Sequence, residues 1–117
     1  MAALLKTLVA RRGEADYLFV LVPGDRSIDW TKLRNHLGIR RMTLPDAAEA
    51  FAATGYERGT ITPFGASTAW PVIADASIDP LGTISLGGGA HGVSVKMLGQ
   101  AMIDALGADV ADVTKEA

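Results

Sequence analysis

The chain has 117 residues, 49% of them hydrophobic and 21% charged, with 11 basic and 13 acidic side chains, a net charge of −2 and no cysteine. That length specifies one domain, residues 1–117, able to bury about two thirds of the surface its unfolded chain exposes. The composition excludes disulfides, cysteine nucleophiles and thiolate metal sites, a bilayer span of roughly 20 apolar residues, and a protein that coats nucleic acid through a uniformly basic surface.

Leu4 to Val9 and Tyr17 to Val22 are apolar runs separated by Arg11-Arg12-Gly13-Glu14-Ala15-Asp16, the pattern of a strand, a hairpin loop and a strand. Pro23-Gly24-Asp25-Arg26 breaks the second strand. Asp29 then caps a short helix carrying Trp30, Leu33 and Leu37 at helical spacing, with Gly38 as its stop. Ile39 to Thr43 fits a brief strand, and Thr43-Leu44-Pro45-Asp46 opens a second helix through Ala47, Ala50 and Phe51 that ends at Gly55.

The segment Thr54 to Gly65 contains three glycines, one proline and three threonines in twelve residues, so it is neither a regular helix nor a central strand. Tyr56, Ile61 and Phe64 give it apolar anchors, and a loop pinned from below holds its peptide groups in fixed directions, as a ligand wall requires. An ordinary connecting loop with hydrophobic feet satisfies the same composition. Beyond it, Trp70 to Ala74 suggests a strand, Asp75 to Pro80 a turn and Thr83 to Leu86 another strand. Gly87-Gly88-Gly89-Ala90-His91-Gly92 turns the chain into a returning strand with Val93 and Val95 on one face. Leu98, Ala101, Met102, Ala105 and Leu106 form a last amphipathic helix closed by Gly107. Strands and helices alternate without a strict βαβ period, so the expected fold is α+β, a mixed, mostly antiparallel curved β-sheet with helices packed on it.

The glycine triplet is not a phosphate loop, because no Lys-Ser/Thr pair and no helix follow it. It does not fit a dinucleotide fingerprint either, whose glycines open a helix facing pyrophosphate. A tight hairpin explains it equally well. Two histidines, His36 and His91, are too few for a histidine metal site, so neither a metal nor a cofactor is expected. His36 suits the end of its helix, where the dipole favours it; His91 lies in the glycine turn. Lys6 is the odd residue of an otherwise apolar strand: it sits on a solvent side, or its partly desolvated ammonium holds a phosphate or a developing oxyanion. Bases crowd the first half of the chain, and after Arg58 only Lys96 and Lys115 remain. Arg11-Arg12 and Arg40-Arg41 form a phosphate-facing patch if the fold unites them, and a solvated face otherwise.

Taken together, Leu5-Lys6-Thr7-Leu8-Val9-Ala10, Val22-Pro23-Gly24-Asp25, Thr54-Gly55-Tyr56 with Gly59-Thr60-Ile61-Thr62-Pro63-Phe64-Gly65, and Gly88-Gly89-Ala90-His91-Gly92-Val93-Ser94-Val95 resemble the YbaK/EbsC family, the aminoacyl-tRNA editing domain also inserted in bacterial prolyl-tRNA synthetases. The resemblance spans essentially the whole chain. It implies a trans-acting deacylase that hydrolyses the ester linking a wrong amino acid to tRNA, typically Cys- or Ala-tRNA-Pro; a cytoplasmic location is expected because Met1 to Leu8 carry no secretion pattern. Its partners would be the tRNA acceptor end and a prolyl-tRNA synthetase, with homo-oligomerisation an option and no membrane involved.

By the same resemblance Lys6 is the catalytic residue. Gly59, Thr60, Ile61, Thr62, Pro63 and Gly65 line the substrate pocket, and Gly88, Gly89 and His91 close it. His91 is similar to the histidine of domains that remove alanine, whereas cysteine deacylases tend to carry a basic residue there. Family members usually place a largely helical segment ahead of the lysine strand, which here begins almost at once. The alternatives are a non-catalytic module that binds tRNA or a synthetase, and a structural fragment that dimerises through an uncovered sheet.

Overall fold

The structure is a computed structural model that describes residues 3–57 and 60–117. It is built on a hairpin: β1 (Ala3–Gly13) and β2 (Asp16–Pro23) pair antiparallel from Leu5 opposite Pro23 to Arg11 opposite Tyr17, with a register irregularity between Arg11 and Gly13. Ala15, at φ 52°, turns the chain between them. β3 (Arg26–Ile28) leads to α1 (Trp30–Leu37), whose first turn is capped as expected, Lys32 N–H donating to the Asp29 carboxylate; Gly38 stops it at φ 69°. α2 (Ala47–Thr54) is capped by Asp46 and ended by Gly55 at φ 80°. β4 (Val72–Asp75), β5 (Thr83–Gly87), β6 (Ser94–Leu98), α3 (Gly99–Leu106), β7 (Asp109–Ala111) and β8 (Thr114–Glu116) follow.

The main sheet has the order β6-β5-β1-β2-β4-β7, and β3 pairs with β8 in a small second sheet. β2 is buried on both sides because its two residue sets feed two cores. Phe19 and Leu21 join Leu5, Val9, Ile84, Leu86 and Met102 on the α3 face, while Leu18, Val20 and Val22 join Ala10, Leu33, Ile73 and Val113 on the α1 face. A strand covered on both faces needs the unbroken apolar run that Leu18 to Val22 supplies.

The α+β reading with a mixed sheet holds, but the sheet is less antiparallel than expected. Three of its five ladders, β1 with β5, β2 with β4 and β4 with β7, are parallel. In the last two the intervening chain carries helices, the long connections that parallel pairing requires. Four further expectations are corrected. Ile39 to Thr43 makes no strand: only Thr43 pairs, exchanging two backbone hydrogen bonds with Arg11. Trp70 precedes β4; it packs edge-on against Tyr17, and its indole N–H donates to the Ala53 carbonyl, which ties the loop to α2. Leu98 ends β6 instead of starting α3, and Ala101 and Ala105 are exposed, the inner face of α3 being Met102 with Ile103 and Leu106. β7 and β8 went unforeseen because three-residue strands carry no readable period.

Asp75 organises this end of the sheet. Its buried carboxylate accepts hydrogen bonds from the Val113 N–H, the Ser77 N–H and the Ser77 hydroxyl, tying the β7–β8 connection to β4. Burial alone would raise its pKa. The hydrogen bonds from Ser77, Val113 and Thr114 outweigh that and hold the carboxyl below its ordinary value. Among the described residues no helix is long and apolar enough to cross a membrane.

Candidate active site

β1 is treated differently on its two edges. Against β2 it is paired for most of its length, whereas β5 pairs with it only at Ala3 and Leu4, after which the two strands part. Peptide groups alternate between the edges of a strand. Since Arg11 turns its N–H and C=O to Thr43, those of Val9 and Thr7 turn the same way, toward the gap, where among the described residues no strand meets them. A cavity of about 620 Å³ occupies that gap. Its size suits a small-molecule ligand.

Because the cavity lies along an edge, residues from both faces of β1 line it: Lys6 and Leu8 from one, Leu5, Thr7 and Val9 from the other. Lys6, half-buried, donates from Nζ to the Arg26 carbonyl at 2.6 Å. An ammonium has three N–H bonds, so this contact orients the group and leaves two donors over. The hydroxyl of Thr7 is buried and has no hydrogen-bond partner among the described residues. Such an orphan costs free energy, roughly 1–3 kcal/mol, unless a ligand satisfies it.

The far walls come from three segments. Leu44, Pro45, Asp46 and Ala47 bring the start of α2 to the cavity; Ile61 enters from the anchored loop; Leu86 and Gly87 end β5, and Ala90 to Ser94 supply the turn beyond. The loop is anchored as expected. The Tyr56 hydroxyl donates to the Phe64 carbonyl, the Thr60 hydroxyl donates to the Glu57 carbonyl, and Ile61 and Phe64 pack on the core. The glycine turn leans on this loop: Gly89 N–H donates to the Thr60 carbonyl at 3.0 Å, and a Cβ on Gly89 would stand 2.8 Å from the Tyr56 ring. At φ 91° Gly89 also has a backbone that side chains rarely adopt. Glycine at 88 is required by proximity, since a Cβ there would meet Val93 at 2.6 Å.

Of the residues expected in the pocket, Lys6, Ile61 and His91 come together at the cavity. Thr60, Gly89 and His91 line a smaller neighbouring hollow with Tyr56 and Glu57, and His91 Nε2 lies 3.4 Å from Glu57 on exposed surface. Thr62 is buried, and Thr62, Pro63, Gly65 and Gly88 do not line the cavity; they shape the loop and turn that do. Gly59 lies outside the described residues. Thr7 and the start of α2 were missed from sequence. Thr7 stands in a strand as any β-branched residue would, and the approach of residues 44–47 depends on the Arg11–Thr43 bridge. Among the described residues no group of three His, Asp or Glu side chains gathers to hold a metal.

The family model for the aminoacyl-tRNA editing domain matches residues 1–105. The chain is 22% identical over 111 residues to a protein of Enterococcus faecalis named "Putative Cys-tRNA(Pro)/Cys-tRNA(Cys) deacylase EbsC", covering 95% of this chain and 68% of that one. It is 29% identical over 83 residues to a proline–tRNA ligase of Trichlorobacter lovleyi and 37% identical over 75 residues to that of Moorella thermoacetica. It spans only 14% and 13% of the length of those two ligases. Among solved structures, one titled "Crystal structure of a putative trans-editing enzyme for prolyl tRNA synthetase" superposes with a TM-score of 0.86 at 24% identity, over 96% of this chain and 70% of that one, which shows the shared fold. With the expected fold and the whole lysine strand in place, the chain belongs to the aminoacyl-tRNA editing domain family.

Proposed function

We propose that this protein is a trans-acting aminoacyl-tRNA deacylase that hydrolyses mischarged tRNA, with Cys- or Ala-tRNA-Pro as substrate. One observation carries the reading: the cavity at the open edge of β1 gathers an ammonium, an unpartnered buried hydroxyl and unpaired peptide groups, in a chain without cysteine. Membership of the editing family and similarity to proline–tRNA ligases support the choice of substrate.

An aminoacyl ester is already activated, so positioning and charge stabilisation suffice without a covalent nucleophile. Water adds to the ester carbonyl; the bond from the carbonyl carbon to the ribose oxygen breaks, the water oxygen stays on the amino acid and a proton passes to the departing ribose oxygen. Lys6 is the catalytic residue. Its two remaining N–H donors hold the developing oxyanion or the terminal phosphate. The Thr7 hydroxyl and the peptide groups of Thr7 and Val9 orient the aminoacyl group. Ile61 and the residues from Thr60 to Gly65 behind it form one wall, and Gly88 to His91 limit the amino-acid pocket.

The test is to follow ester loss from Cys-, Ala- and Ser-charged tRNA-Pro with the wild-type protein and Lys6→Ala. Hydrolysis of one substrate that vanishes in the variant, with unchanged melting temperature, is the expected result. Full activity in Lys6→Ala sinks the assignment. A non-catalytic module that binds tRNA or a synthetase is the second reading. It draws on Leu4, Leu44 and Val93, exposed apolar side chains on the cavity rim, and predicts that the ester is protected instead of cleaved.

A further inference from the structure

The tertiary fold unites two arginine pairs that lie far apart in the sequence. Arg11 is bridged to Thr43 by a reciprocal pair of backbone hydrogen bonds of 2.9 and 3.1 Å, which brings the segment carrying Arg40-Arg41, two to three residues before the bridge, to the end of β1 that carries Arg11-Arg12. Both chain segments run from this cluster straight into the cavity. Val9 and Leu44 line it, two residues from Arg11 and three from Arg41. At 3.2–3.4 Å per extended residue, the cluster stands about 7–10 Å beyond the cavity rim.

The four arginines are not equivalent. Arg12 is held by Asp16 through hydrogen bonds of 3.0 and 3.3 Å, and Arg11 lies 3.5 Å from Glu49, whose carboxylate also accepts from the Tyr17 hydroxyl. Arg40 and Arg41 are exposed and make no hydrogen bond or ion pair through their side chains among the described residues. Two uncommitted guanidinium groups beside a ligand cavity, in a chain whose net charge is −2, are a local anion site. Guanidinium forks match phosphate oxygens two at a time.

We infer that Arg40 and Arg41, backed by Arg11 and Arg12, bind the phosphate backbone of the RNA strand immediately upstream of the nucleotide that enters the cavity. The inference rests on the proposed function for the identity of the strand. It goes beyond that reading in locating where the strand leaves the pocket, past Leu44 and along the outer edge of β1. The arginines contribute binding and steering, and no part of the ester chemistry.

The experiment measures binding of uncharged tRNA by fluorescence anisotropy over a salt series, beside deacylation of the same tRNA in its charged form. The variants are Arg40→Gln with Arg41→Gln, and Arg34→Gln on α1 as a control. In the double variant Kd rises about tenfold and the slope of log K against log salt becomes shallower by about 1.4, two phosphate contacts of a single strand. The control changes neither. Hydrolysis of the aminoacyl ester of adenosine alone, which carries no upstream phosphate to meet the cluster, keeps its kcat in the double variant. Unchanged tRNA affinity and salt slope in the double variant, or no measurable tRNA binding by the wild type, overturns the inference. Binding that depends on the arginines without any ester hydrolysis upholds it and overturns the deacylase reading instead.

Discussion

The two sides of the main sheet, divided at β1, are built to opposite ends. On the β2 side β1, β2 and β4 are paired in sequence, β2 and β4 are buried, and Asp75 ties the returning chain to β4 through the Val113 N–H and Ser77. On the β5 side the ladder stops after Leu4, and the space that a continued sheet would have filled becomes a cavity. The contrast shows how one strand serves as both scaffold and site: the paired edge fixes the position of each β1 residue, and the open edge presents those same residues to a ligand. Lys6 and Thr7 are precise in position because Val22 and Leu21 are paired opposite them.

Substitutions can break either side. Lys6→Ala should have the largest effect, a loss of roughly 10²–10³-fold in deacylation rate, the range for removing one donor that stabilises an oxyanion. A thermal melt run beside the assay should show little change, because among the described residues the Lys6 side chain makes a single hydrogen bond, to the Arg26 carbonyl. Gly89→Val should follow. Its Cβ would stand 2.8 Å from the Tyr56 ring on a backbone at φ 91°, so the turn must withdraw from the loop. A loss of about 2–3 kcal/mol in urea unfolding is expected, with activity reduced through misplacement of the pocket wall.

The closed side is probed by pH. Asp75 has a folded-state pKa below its unfolded one. Its contribution is therefore fully present above the unfolded value of about 4 and is lost as pH falls through the lower folded value. Asp75→Asn should cost about 1–2 kcal/mol at pH 7 and should flatten the fall in melting temperature as pH drops below about 4. An unaltered acid profile would show that the β4–β8 tie does not depend on this carboxylate.

Thr7→Val should give the smallest effect and the most discriminating one. Removing a hydroxyl that has no partner among the described residues should leave stability unchanged or raise it by up to about 1 kcal/mol, while KM rises. A stability loss together with an unchanged KM would mean that the hydroxyl is satisfied within the protein and does not belong to the site.

Most local structure was legible in the chain. Asp29 and Gly38 mark α1 and Asp46 and Gly55 mark α2, because caps and stops act through hydrogen bonds within a few residues. The apolar runs of β1 and β2 are strong enough to declare themselves. The loop from Thr54 to Gly65 was correctly read as anchored, by Tyr56, Ile61 and Phe64, yet among the described residues only Ile61 of its expected ligand-facing set reaches the main cavity. The resemblance brought Lys6 and His91 to the same place, whereas composition left each with a plain structural explanation.

The sequence by itself determined the punctuation of the elements, the apolar runs of β1 and β2 and membership of the editing family, since these depend on residue type and short-range spacing. Tertiary structure alone decided the parallel ladders, the short strands β7 and β8, the orphaned Thr7 hydroxyl and the union of Arg11-Arg12 with Arg40-Arg41. Each of these depends on which segments meet across the chain. The cavity belongs to the same class: it exists because β5 parts from β1 after two paired residues, and no local pattern in either strand records where that separation begins.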